Sequence, residues 1–98
     1  MDSMDVLATL RENEYALRAR GVRHAALFGS RARGDQRPDS DIDILIEIEP
    51  GAVTDVFSYA GLKRYIAELF PDRVDVVNRD ALKASLRPSA IADALYAF

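Results

Sequence analysis

Apolar and polar residues alternate from residue 41 to 49, DIDILIEIE, with Leu45 the one apolar residue at a polar position. In a strand, Ile42, Ile44, Ile46 and Ile48 fall on one face, and Asp41, Asp43, Leu45, Glu47 and Glu49 fall on the other. Pro50-Gly51 ends the run. Two shorter apolar stretches read the same way: VRHAALF at 22–28, broken by Gly29, and RVDVV at 73–77. Helical spacing governs the rest. Val6, Leu7, Leu10 and Leu17 predict one helix over 4–20, capped by Asp2 or Ser3 and closed by Gly21. Tyr59, Leu62, Ile66, Leu69 and Phe70 predict a second over 55–70, with Thr54 or Asp55 as cap and Pro71 just beyond. Pro88, Ile91, Leu95 and Phe98 predict a last helix over 88–97, packed on the sheet or presented to a partner. Between the first two strands, residues 30–40 hold Gly34 and Pro38 and form a turn or short helix, then a loop. Strands interleaved with helices predict an α/β (α+β) layer fold around a mixed sheet of three or more strands.

A length of 98 residues suits a single domain, 1–98. With 49% apolar residues, a core can form and global disorder is not expected. The net charge of −3 argues against a protein that coats nucleic acid. Without cysteine, and with His24 alone, thiolate and histidine-rich metal sites are excluded or disfavoured. Any bound metal must take mostly oxygen ligands. No apolar run spans a membrane, and the acidic N-terminus is unlike a signal peptide, so a cytoplasmic protein is expected.

The stretch FGSRARGDQRPDSDIDIL, residues 28–45, fits the bland pattern least. Asp41 and Asp43 lie two apart on a strand, so their carboxylates point the same way about 6–7 Å apart along the chain. Aspartate is poor strand chemistry, and such a local misfit is where a functional site is expected. The pair could serve one cation or bridge two. The alternative is a polar strand face after a turn. Asp75 sits between two valines in the third strand. If that strand pairs with 41–48, Asp75 shares the face of the other two, and three carboxylates repel unless cations neutralise them. Otherwise Asp75 is a surface carboxylate beside Arg73. Glu47 and Glu49 are expected to face solvent.

Gly29-Ser30 opens a helix after a strand. Glycine admits close approach of a ligand, and N–H groups at a helix start suit an anion. A plain turn capped by Ser30 is the other reading. Arg31, Arg33 and Arg37 favour a phosphate ligand, although one could instead pair with a neighbouring aspartate. Carboxylates for divalent metals beside a turn for a phosphate tail are what phosphoryl or nucleotidyl transfer needs. No Walker loop is present.

The whole stretch resembles the signature of the minimal nucleotidyltransferases, a branch of the polymerase-beta-like superfamily. The match runs through Gly29, Ser30, Ala32, Arg33, Gly34, Ser40, Asp41, Ile42 and Asp43, with Asp75 where a third carboxylate is expected. The resemblance implies that Asp41, Asp43 and Asp75 are catalytic and hold two Mg2+ ions. Ser30 and the backbone of Gly29, with Arg31 and Arg33 nearby, would bind the triphosphate of ATP. Asp75 would also help deprotonate the attacking hydroxyl. Small members of the family are typically antitoxins that transfer AMP to a tyrosine of a HEPN-type ribonuclease toxin. The acceptor here would accordingly sit on another chain, in a hetero-oligomer with a toxin, or on a second copy of this one. Competing readings are a non-catalytic toxin-binding module and a transferase acting on a small molecule such as an antibiotic. His24 and the four tyrosines are expected to be structural.

Overall fold

The computed structural model describes all 98 residues. Helices α1 (Ser3–Glu12) and α2 (Glu14–Ala19) precede strand β1 (Val22–Phe28). Then come the short helix α3 (Ser30–Arg33), β2 (Ile42–Ile48), α4 (Val56–Ala67) and β3 (Val74–Asn78). A 3-10 turn (Arg79–Ala81), α5 (Arg87–Asp93) and the two-residue β4 (Leu95–Tyr96) complete the chain. The four strands form one mixed sheet in the order β3-β2-β1-β4. β1 runs antiparallel to β2 and β4, while β2 and β3 are parallel.

The isoleucines of β2 explain most of this arrangement. Ile42, Ile44 and Ile46 are fully buried against Val6, Leu10, Leu17, Leu62 and Ile66 of the three helices on that face. Alternation puts Asp43, Leu45 and Glu47 on the opposite face. That face is not simply solvated, because Leu45 and its partner Ala26 are also buried. α5 packs against β1 and buries Ala90. The second face therefore carries a small core at its middle and leaves Asp43 at its end.

The first expected helix is two helices. The Asn13 side chain donates to the Thr9 carbonyl at 2.8 Å, competing with the backbone ladder. Its backbone leaves the helical region, and a new turn starts when Leu17 N–H bonds its carbonyl. The entry to α1 is a capping box between Asp2 and Asp5. The second helix follows its pattern, with Asp55 accepting from the Ser58 N–H at 2.8 Å.

The C-terminus departs from expectation. α5 stops at Asp93, and residues 95–96 form a strand against Ala26 and Leu27 rather than a helical turn. Ala97 N–H adds a bond to the Ala25 carbonyl at 2.8 Å. The unpaired edge of β1 supplies backbone partners that outweigh the local helical spacing of Ile91, Leu95 and Phe98.

Two outcomes test this architecture. Ile44→Ala should cost about 2–5 kcal/mol, seen as a lower urea midpoint at unchanged slope. Asp55→Ala should lower the thermal midpoint at pH 7. The two hydrogen bonds from Ser58 hold the Asp55 carboxyl below its ordinary range. A depressed folded-state value stabilises above the unfolded pKa of about 3.9, so the difference between the two proteins should vanish as pH falls through the folded value.

Candidate active site

Antiparallel pairing brings the end of β1 beside the start of β2, and the parallel partner adds the start of β3. Phe28 pairs with Asp43, so Gly29-Ser30 emerges directly against that aspartate. Asp43 in turn stands in register with Asp75 on β3, and paired residues of a ladder share a face. Asp41 sits one residue ahead of β2, where its carboxylate lies 3.9 Å from Arg73. The three aspartates therefore gather at one end of the sheet, as expected once the third strand pairs with β2.

Gly29 has φ +75° and ψ −154°, a backbone that L side chains rarely adopt. A Cβ there would collide with the Asp43 carboxylate, lying 3.2 Å from Cγ and even closer to Oδ2. The missing side chain is thus what lets the turn close on Asp43. No side chain caps α3. The N–H groups of Ala32 and Arg33 both bond the Gly29 carbonyl, while Ser30 and Arg31, at the helix start, have no intrahelical acceptor.

The electrostatics of the aspartates are unfavourable as they stand. The half-buried Asp43 carboxyl is pushed above its ordinary value, first by desolvation and then by the charges of Asp75 and Asp41. No three acidic or histidine side chains converge into a ready metal cage. Asp41 leans toward Arg73 instead. Even so, the donors are all carboxylate oxygens sharing one end of the sheet, and their repulsion is of the kind a hard divalent cation relieves. The residues fit Mg2+ by donor chemistry.

Both arginines near the turn are engaged. Arg33 donates to Asp93 at 2.8 Å and to Asp35 at 3.1 Å, and these bonds raise its pKa further. The Asp93 bond ties α3 to α5. Beside it lies a cleft of about 250 Å3 lined by Phe28, Gly29, Leu82, Leu86 and Ala90. Arg31 bonds carbonyls in two other segments. Asp72 and Asp93 join these arginines from 41 and 60 residues away, and no local pattern announces either. Larger hollows exist elsewhere, one of about 480 Å3 beside Pro50 and Tyr59 and one of about 600 Å3 between α2 and α4. Neither touches an aspartate of the triad, so size alone does not locate the site.

On the rest of the outer face, Tyr96 donates to Glu47 at 3.1 Å, and Arg79 lies 3.9 Å from the same carboxylate. Glu47 is thus paired, not free in solvent as its position suggested. Burial and then Glu47 raise the Tyr96 pKa. His24 packs edge-on to Tyr96, a structural place.

Gly29→Ala and Gly51→Ala separate steric from backbone effects. Both glycines have positive φ, but a Cβ at Gly51 meets open space. Gly29→Ala should lower the urea midpoint clearly more than Gly51→Ala. Equal losses would show that contact with Asp43 is not what constrains the turn.

Comparison with known proteins agrees with this geometry. The nucleotidyltransferase domain family matches residues 5–97. The protein adenylyltransferase MntA of Thermococcus cleftensis is 31% identical over 97 residues, covering 98% of this chain and 94% of that one. A solved structure described as a minimal nucleotidyltransferase is 34% identical with a TM-score of 0.69, covering 97% of this chain and 95% of that one. The fold is also shared with an antitoxin solved in a complex with a tri-AMPylated HEPN toxin of Shewanella oneidensis, at 18% identity and a TM-score of 0.64, over 94% of this chain and 71% of that one. The aspartate-bearing strands, the glycine turn pressed against them and the extent of these matches agree: the chain belongs to the nucleotidyltransferase domain family.

Proposed function

We propose that residues 1–98 are one minimal nucleotidyltransferase domain that transfers AMP from ATP to a tyrosine hydroxyl of a HEPN-type toxin, silencing it as an antitoxin. One observation carries this reading: Asp43 and Asp75 stand in register at the strand ends, with Gly29 closed directly against Asp43. The adenylyltransferase named among the relatives supports the reaction, and the toxin complexes that share the fold support the partner.

In this reading the N–H groups of Ser30 and Arg31 and the Ser30 hydroxyl hold the phosphate tail. Asp41, Asp43 and Asp75 would hold two Mg2+ ions, which would supply neutralisation of phosphate charge and stabilisation of the leaving group. The tyrosine oxygen attacks the α-phosphorus. The bond from that phosphorus to the oxygen bridging to the β-phosphate breaks, and pyrophosphate leaves. Asp75, the exposed member of the triad, accepts the hydroxyl proton. Arg33 stays on Asp93 and Asp35 and shapes the turn from the side.

Co-expression with a HEPN protein, followed by intact-mass measurement, tests the proposal. The partner should gain the mass of one or more adenylyl groups, and a tyrosine-to-phenylalanine change in it should remove them. Asp41→Asn plus Asp43→Asn should abolish both the mass gain and neutralisation. Asp75→Asn should slow transfer by about 10²–10⁴-fold. An unmodified partner in the presence of ATP and Mg2+ would refute the transfer, and neutralisation by the double variant would instead make the chain a binding module.

A further inference from the structure

Arg31 stands in the glycine turn, where its charge suggests a phosphate contact. Its guanidinium is already committed to protein groups. Nη2 donates to the Ser40 carbonyl at 2.7 Å, and Nη1 donates to the Met1 carbonyl at 3.0 Å. The Asp72 carboxylate lies 3.8 Å from Nη2. The side chain is only 9% exposed, and its Nε is buried without a partner. Arg31 borders a hollow of about 450 Å3 that it shares with Asp41, but its donors there are already spent on protein acceptors.

The partners of Arg31 have one thing in common. Ser40 immediately precedes Asp41. Asp72 closes the turn that leads into β3 and Asp75, and the next residue, Arg73, accepts the Ile42 N–H at 2.9 Å. One side chain rooted beside Gly29 and Ser30 thus reaches the approach to each aspartate-bearing strand. Without it, the loop ahead of Asp41 would rely on contacts such as the Arg37 N–H to the Ser40 hydroxyl, with Arg73 3.9 Å from the Asp41 carboxylate. A guanidinium suits the task because its planar fork serves several acceptors at fixed angles, which an ammonium does not.

We propose that Arg31 is a positioning residue: it braces the loop ahead of Asp41 and the turn ahead of Asp75 against α3, setting the carboxylates at their distance from Gly29-Ser30 without touching the nucleotide. This inference rests on the reading of the site given above. It replaces the phosphate contact that the local charge suggests for Arg31.

Calorimetric binding of α,β-methylene ATP, whose scissile bond cannot break, separates the alternatives. Each protein is titrated once in EDTA and once in Mg2+, below its thermal midpoint. A brace predicts that Arg31→Gln and Arg31→Lys bind the analogue in EDTA within about twofold of the unsubstituted chain, and lose about 10–100-fold of the tightening that Mg2+ confers. Arg31→Lys should fail like Arg31→Gln, although it keeps the charge. Weakening of about tenfold or more in EDTA would make Arg31 a phosphate ligand and overturn the proposal. Unchanged Mg2+-dependent tightening would leave it a purely structural residue and overturn it equally. If both Arg31 variants fail to fold, Asp72→Asn decides by the same two numbers, with a smaller loss in Mg2+ expected. The Asp41→Asn plus Asp43→Asn protein is the control for the site itself. Loss of tightening there with none in the Arg31 variants refutes the brace alone, whereas tightening that survives there refutes the site and the brace together.

Discussion

Everything at the candidate site depends on the burial of one row of isoleucines. Ile42, Ile44 and Ile46 are sealed against α1, α2 and α4, and a strand's two-residue period then leaves Asp43 no choice of face. A slip of one residue would drive a carboxylate into an apolar core and lift the isoleucines out of it. Both costs run the same way, so the register is held firmly. The same row sets the neighbours. Ile44 pairs with Leu27 on one side and Val76 on the other, and these ladders place Gly29 and Asp75 beside Asp43.

That placement concentrates charge. Three aspartates gather at one end of the sheet, and burial, followed by the charges of Asp75 and Asp41, raises the Asp43 pKa. The molecule counters this only in part, with Arg73 near Asp41 and Arg31 buried behind the loop. The arginines that look from the sequence like ligands are both engaged with protein groups. Arg33 fastens α3 to α5 through Asp93, and Arg31 spans three segments. The carboxylates are left only partly compensated, and their repulsion is of the kind that hard cations relieve.

Local sequence was enough for features decided by near neighbours. The alternation at 41–49, the break at Gly29, the Asp55 cap and the Gly-Ser to Asp-x-Asp signature all depend on residues close in the chain. The sequence therefore determined the first three strands, the paired aspartates and the family. Tertiary structure decided what depends on partners far along the chain. Residues 95–96 became a strand because β1 had a free edge, against their own helical spacing. Leu45 was buried because a second layer covers its face, and Glu47 was paired by Tyr96 across 49 residues. Asp75 joined the triad only through the parallel register of β3, and Arg31 and Arg33 found Asp72 and Asp93 only once the loops closed. A short-range pattern can specify an element and its faces, but which charges meet is set by the packing of segments that no local spacing records.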